Sequence, residues 1–424
     1  MGNLDYTQVL NKIENTRRFG NELGVVVTAQ VIKVLREKGK QKRIIPYIHV
    51  AGTNGKGSVC AFFSSILKKE HMRVGTFVSP HLVDFEERIT VDGRMIAKED
   101  VTRLGNYLLD IDFGIGLTMF DYCLAMALLY FEEQQCDYMV IETGLGGRLD
   151  STNAIGTPQC AVITKIGYDH MAILGSDIAD IAAEKAGIIK ENSTVVVEQQ
   201  DKRAMQVIEQ EAQKKHAGII TVEQSDIARC SGYALRLCGT FQWENAAAAE
   251  LAARYVLGKH YSGPEYEIQY DKTGPKSEKT NLNDRIKSAL EEAVWPGRME
   301  IVSKEPFLLV DGAHNSNGVD ALRESLMQMY PGEKFCFFMG VMADKDYDVM
   351  IREILPLAEE FYTVTPDSDR ALQASHLADF IRKEGVEATE LSGVDEIRKH
   401  LKRDTKNVAF GSLYFIGELK QHQI

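Results

Sequence analysis

Ile45-Pro46-Tyr47-Ile48-His49-Val50-Ala51-Gly52-Thr53-Asn54-Gly55-Lys56-Gly57-Ser58 passes from an apolar run into glycines, a lysine and a serine, and a helical pattern follows at once. Residues 45–50 read as a buried strand, and Val59, Phe62, Phe63, Ile66 and Leu67 recur at helical spacing over 59–69. Between a strand and a helix, glycines let backbone N–H groups turn inward around phosphate oxygens and the helix N-terminus adds partial positive charge. Lys56 supplies a point charge and Ser58 a hydroxyl for Mg²⁺. The stretch reads as an ATP-binding loop formed by Asn54, Gly55, Lys56, Gly57 and Ser58. It departs from G-x-x-x-x-G-K-[ST], because Gly57 separates Lys56 from Ser58 and Gly52 comes two positions late. The strand before it and the helix after it carry the reading against a plain glycine turn with a surface lysine.

Other strands also end in polar groups, which is where parallel α/β sheets place their ligands. Residues 73–78 lead into Ser79-Pro80-His81, 137–142 end in Glu142, and 161–166 precede Tyr168-Asp169-His170. A carboxylate at such a strand end, downstream of a phosphate loop, has the placement needed to hold Mg²⁺. His170 is a further metal candidate, although imidazole is unusual for a hard cation. The loop after Glu142 puts Gly144, Gly146, Gly147, Arg148 and Asp150 close together, as close approach to an anionic ligand requires. Residues 84–93 read as a charged loop running into a hairpin at a solvated edge, and 177–187 as a helix presenting Glu184 and Lys185, on the bland view an exposed salt-bridged face.

The chain has 424 residues, 44% of them hydrophobic, enough for two or three packed domains. A formal net charge of -12 argues against general nucleic-acid binding. No window approaches the roughly 18 apolar residues of a membrane span, so a cytoplasmic protein is expected. Seven scattered cysteines read as buried thiols. Residues 1–44 look helical and read first as a packing helix pair, with Phe19 or Leu23 as an alternative lining for a pocket beside the phosphate loop. Residues 260–285 lose all periodicity and read as an insertion. Trp295-Pro296-Gly297-Arg298 suits a domain boundary, giving domains 1–294 and 295–424. The second has its own α/β pattern, with strands at 307–310, 335–338, 361–364 and 408–410, the first ending in Asp311-Gly312-Ala313-His314-Asn315.

Taken together, the stretches at 52–58, 79–81, 142–150, 169–170, 184–187, 295–298 and 311–315 resemble the folylpolyglutamate synthase and dihydrofolate synthase family, ATP-dependent amide ligases related to the Mur enzymes. The resemblance covers nearly the whole chain, and the glycine after Lys56 is this family's own form of the loop. It implies an α/β fold with a P-loop-containing, Mur-ligase-like N-terminal domain on a parallel-rich sheet and a smaller Rossmann-like C-terminal domain. It implies ATP contacts from Asn245, Arg298, Asp311, Gly312, Ala313 and His314 besides the phosphate loop, and Mg²⁺ held by Ser79, Glu142 and His170, with Ser58 a further candidate. Lys185 matches a lysine carbamylated in related ligases, where the new carboxylate serves a second metal ion. Phe120, Asp121, Tyr122, Leu149, Asp150 and Ser151, with Arg148 beside them, match the pteroate pocket. Many members carry Phe-Phe-Glu where this chain has Met119-Phe120-Asp121-Tyr122.

The chemistry so implied is glutamate joined to dihydropteroate or a reduced folate by a monomeric enzyme. Hydroxide is a poor leaving group, so ATP would convert the carboxylate to an acyl phosphate before the glutamate amine attacks. Stabilising the transferring phosphoryl group needs positioning and charge, from Lys56 and Mg²⁺, and no Ser/His/Asp signature. His314 and Lys185 join Lys56 as catalytic candidates, His314 through the phosphoryl group or the amine, and a cleft between two domains would close to exclude water. Two alternatives stay open: a Mur-type ligase acting on a nucleotide-linked peptide, and a switch that hydrolyses ATP without joining anything.

Overall fold

The computed structural model describes residues 4–16, 23–43, 45–258 and 281–424. Phe19 and most of the 260–285 insertion lie outside the described residues. The chain divides into two compact units, one of residues 1–81, 85–235 and 244–293, the other of 82–84, 236–243 and 294–424.

The larger unit is built on an eight-stranded sheet: β1 (Tyr47–Ala51), β2 (Val74–Phe77), β3 (Ile89–Val91), β4 (Arg94–Met95), β5 (Tyr138–Glu142), β6 (Cys160–Ile163), β7 (Thr194–Val197) and β8 (Gly218–Thr221). Their order is β4-β3-β2-β5-β1-β6-β7-β8. All pairings are parallel except β2 with β3 and β3 with β4. All five residues of β1 and of β5 are buried, as expected of parallel strands covered on both faces, and this is why they read as nearly continuous apolar runs. Sequence order reverses around β1, which lies between β5 and β6. Ligand sites of open α/β sheets form at such a switch point, outside the carboxyl ends of the strands.

The helices of this unit include α1 (Tyr6–Glu14), α2 (Gly24–Glu37), α3 (Lys56–Lys69), α4 (Lys98–Leu109), α5 (Met119–Glu133), α6 (Met171–Leu174), α7 (Ile178–Ala186), α8 (Lys202–Lys214), α9 (Gln224–Ser231), α10 (Phe241–Val256, from residue 244 onward) and α11 (Leu282–Glu292). One core joins α1, α2, α4 and α5 to the sheet through Val9, Val31, Leu104 and Phe131. Another packs α7 and α8 on β6 and β7 through Ile181, Ile208, Ile163 and Val195. The hairpin expected near residue 89 is present, but its approach is no solvated edge: Glu86 and Arg88 are buried, Arg88 Nε donating to His81 Nδ1 at 2.8 Å.

The smaller unit holds β9 (Glu300–Lys304), β10 (Phe307–Val310), β11 (Phe335–Met339), β12 (Ala358–Thr363), β13 (Ala388–Glu390) and β14 (Lys406–Phe410), in the order β13-β12-β11-β14-β10-β9. Only β9 runs antiparallel to its neighbour. Phe337, Phe361 and Phe410 stack edgewise and tilted across the sheet's core. None of the described helices is long and apolar enough to cross a membrane. All seven cysteines are free, and six are buried.

Candidate functional site

Helix α3 starts at Lys56, three residues earlier than helical periodicity alone implies, with Gly55 as its N-cap in the left-handed region at φ 91°. A Cβ on Gly55 would lie 2.3 Å from Asn245 Oδ1, and one on Gly52 (φ 156°) would lie 1.8 Å from Thr164 Oγ1. Both positions favour glycine, Gly52 for space and Gly55 for its left-handed backbone. No side chain caps α3, which leaves its first amides to an anion. Lys56 Nζ donates to the carbonyls of Gly52 (3.1 Å) and Thr53 (3.3 Å) and lies 3.9 Å from Glu142 Oε1.

Glu142 ends β5 in register with Val50 of β1. It is buried, and its Oε2 accepts the Ser79 N–H at 3.2 Å. Ser58 is buried in the first turn of α3. His170 takes a left-handed conformation as the N-cap of α6, its Nε2 3.9 Å from Asp169 Oδ1. Among the described residues no group of three His, Cys, Asp or Glu converges on one point. A buried carboxylate with nearby hydroxyls and amides fits Mg²⁺, which keeps several waters and binds through one or two carboxylates plus phosphate oxygens.

Lys185 is not on an exposed face. It is 4% exposed and donates from Nζ to the Gly52 carbonyl at 2.8 Å. Burial, and then the neighbouring charge of Lys56, lowers its pKa to about 7. Arg148 and Glu184 are the partly exposed pair (3.6 Å), with Arg148 also donating to the Ala183 carbonyl.

The loop between Glu142 and Asn153 is held from within. Asp150 is buried; its Oδ2 accepts the Leu145 N–H (2.8 Å), and its Oδ1 accepts the Thr152 N–H (3.0 Å) and hydroxyl (2.5 Å). Burial pushes its carboxyl above the ordinary range, against the pull of these donors. With its proton directed to Asp150, the Thr152 hydroxyl accepts from His49 Nε2 at 2.8 Å, so His49 is the Nε2–H tautomer. Asp121 Oδ2 closes the capping box of α5 with the Thr118 amide and hydroxyl, and Oδ1 accepts the Ser151 hydroxyl at 2.6 Å. Asp121, Asp150 and Arg148, read from the sequence as substrate contacts, thus have polar atoms engaged within the chain and shape the loop. Leu149 stays exposed, as does Leu23.

In the smaller unit Asp311 is buried, with Oδ2 accepting the Met299 N–H and Oδ1 the Ala313 N–H. This carboxylate ties the segment after Arg298 to the loop of Gly312, Ala313 and His314. His314 Nδ1 lies 2.7 Å from the Gly312 carbonyl and donates to it. Sequence reasoning missed His49, Thr152, Thr164, Glu198 and Gln200. A histidine within an apolar strand was the one local signal among them.

The two units carry the domain pair of Mur ligases. Residues 50–231 match the Mur ligase middle domain and residues 297–410 the Mur ligase glutamate ligase domain. A Bacillus subtilis dihydrofolate synthase/folylpolyglutamate synthase is 33% identical over 454 aligned positions, covering 98% of each chain. The structure of E. coli FolC in complex with DHPP and ADP superposes with a TM-score of 0.82 at 26% identity, over 99% of this chain and 97% of that one. A Yersinia pestis folylpolyglutamate synthase/dihydrofolate synthase complexed with AMPPNP and Mn ion gives a TM-score of 0.82 at 25% identity, over 99% and 98%. The chain belongs to the folylpolyglutamate synthase/dihydrofolate synthase family of the Mur ligase superfamily, and it is an ATP-dependent ligase.

Proposed function

We propose that this protein joins L-glutamate to the carboxylate of a pteroate or folate through an acyl phosphate, releasing ADP and phosphate. The observation that carries this reading is the phosphate loop at the end of β1, with Glu142 ending the adjacent strand and Lys56 between them.

In this reading the amides at 54–58 and Lys56 hold the ATP phosphates while the acceptor carboxylate attacks the γ-phosphorus and the bond to ADP breaks. Lys56 compensates the charge that develops there. Ser79, Glu142 and His170, with Ser58, would hold the divalent metal, which would supply Lewis-acid stabilisation of the phosphoryl oxygens. A carbamylated Lys185 would add a carboxylate for a second ion. Asn245, Arg298 and residues 311–314 are nucleotide contacts. The glutamate amine then attacks the acyl carbon, phosphate leaves, and His314 Nε2 is the nitrogen assigned to the amine's proton. Phe120, Asp121, Tyr122, Arg148, Leu149, Asp150 and Ser151 contact the acceptor, and Asp121, Arg148 and Asp150 also hold the loop that carries them. The enzyme is proposed to act as a monomer in the cytoplasm, a reducing compartment that suits seven free thiols.

The test is phosphate release with ATP, Mg²⁺ and glutamate, adding dihydropteroate to one sample and tetrahydrofolate to another. Release with a glutamate-sized mass gain in both samples is expected of a bifunctional enzyme, and gain in one identifies the acceptor. ATP turnover indifferent to either acceptor would sink the reading.

A further inference from the structure

After β6 the chain turns through Thr164, Lys165, Ile166 and Gly167, and this turn is gripped on two sides. On one side is the phosphate loop. The Lys165 carbonyl accepts the N–H groups of Thr53 (2.9 Å) and Asn54 (3.2 Å), Thr164 Oγ1 donates to the Asn54 carbonyl at 2.6 Å, and Thr53 Oγ1 bonds both the N–H and the carbonyl of Gly167 at 3.0 Å. On the other side are the residues following β7. Glu198 Oε2 accepts the Lys165 N–H at 2.7 Å. Gln200 Oε1 accepts the Ile166 N–H at 2.9 Å, and its Nε2 donates to the Thr164 carbonyl at 3.0 Å.

We propose that Glu198 is a positioning residue for the phosphate loop, acting through Lys165. This rests on the reading of residues 52–58 as the ATP phosphate loop. Among the described residues the loop's backbone has no strand partner beyond Ala51, and two of its amides are aimed at the Lys165 carbonyl; Lys165 is held on both sides, its own N–H by Glu198 and the Ile166 N–H, in the peptide unit that carries the carbonyl, by Gln200. Glu198 is 1% exposed, and its Oε1 has no hydrogen-bond partner among the described residues. Glu244 adds a second carboxylate nearby, its Oε1 accepting the Gln199 N–H at 2.7 Å. The nearest cation serves other atoms: Lys165 Nζ donates to the Gln199 carbonyl at 2.7 Å and lies 3.8 Å from Glu244 Oε2. An ionised Glu198 here would be a buried charge facing a like charge, a costly arrangement. Burial and Glu244 both favour its protonated form. Glu198 thus braces the turn through one accepting oxygen, Oε2, with no charged partner on the other.

A side-chain amide offers the same accepting oxygen at the same reach, and this sets the experiment: KM for ATP, acceptor and glutamate measured separately for Glu198→Gln, Glu198→Ala and Gln200→Ala, with thermal melting of each. Glu198→Gln is expected to keep the ATP KM within about twofold. Glu198→Ala and Gln200→Ala are expected to raise it about tenfold, the loss of roughly one hydrogen bond, with the acceptor KM nearly unchanged. A folded Glu198→Ala with an unchanged ATP KM, or with all three constants raised alike, overturns the proposal. If Glu198→Ala does not fold, Glu198→Asp, whose shorter side chain withdraws the oxygen from the Lys165 N–H, decides by the same criterion. Lys56→Ala separates the two levels. If it too leaves ATP kinetics untouched, the phosphate-loop reading has failed; if it is impaired while Glu198→Ala is silent, only the role of Glu198 has.

Discussion

Lys185 and Lys56 both donate to the carbonyl oxygen of Gly52, at 2.8 and 3.1 Å. Burial, and then the charge of Lys56 at the same carbonyl, lowers the Lys185 pKa to about 7.

That pKa bears on carbamylation, which requires a neutral amine. At pH 8 an ordinary lysine is less than about 1% neutral, whereas one of pKa near 7 is about nine-tenths neutral. Protein equilibrated with ¹³C-bicarbonate is expected to show a carbamate NMR signal at pH 8 that fades below pH 7 and is missing from Lys185→Ala. That variant is expected to lose about 100-fold or more in kcat. Full activity of Lys185→Ala, with no signal from the parent, would remove the carbamate from the mechanism.

Glu142 offers a second check. Replacing it by Gln keeps the Ser79 N–H bond to a side-chain oxygen and removes the charge that faces Lys56. The expected result is a shift of the Mg²⁺ activation midpoint by about tenfold or more and a fall in kcat, with little change in melting temperature. Chelator should stop the parent enzyme. An unchanged Mg²⁺ titration in Glu142→Gln would mean that the metal is held elsewhere.

His49 links pH to stability. Burial, and then Lys190, lowers its pKa to about 3, while in the unfolded chain it titrates near 6.5. Between these values the unfolded state binds the extra proton, so stability falls as pH drops through 6.5 toward 3, by up to about 1.4 kcal/mol per pH unit from this one group. His49→Gln, which retains a donor for Thr152, should flatten that slope by one proton in denaturant titrations. An identical slope in the variant would show that the buried imidazole is not the group responsible.

The phosphate loop, Glu142 at its strand end and the α/β alternation were legible because each is a local pattern: apolar runs of strand length, glycines, a helical repeat. What was not legible depends on partners far away in sequence. Lys185 lies 133 residues from Gly52, and nothing in the periodicity of residues 178–186 distinguishes its buried side from a charged surface. Asp121 and Asp150 read as ligand groups, and what that reading cannot show is that one also closes a helix cap and the other also holds Leu145 and Thr152. Carboxylates favour amide donors as much as ligands, and only the folded loop shows which they found. Strand β9 was missed because Glu300–Lys304 is an edge strand with no fully buried position.

Gly52 and Gly55 make different demands, and alanine at each should fail differently. At Gly52 the new methyl would meet the Thr164 side chain and, at 3.2 Å, its backbone carbon. The strand end itself would have to move, and Gly52→Ala is expected to lose about 3 kcal/mol or more of stability. At Gly55 the close neighbour is the far end of the Asn245 side chain, which can swing away. Gly55→Ala should therefore fold, with about 1–2 kcal/mol of left-handed strain, and raise the ATP KM by displacing Asn245. A double-mutant cycle isolates that cause: in an Asn245→Ala background, Gly55→Ala should add little further increase in ATP KM, because the displaced side chain is already gone. If the two substitutions are additive, the effect of Gly55→Ala lies in the turn of the phosphate loop itself, and Asn245 is an independent contributor.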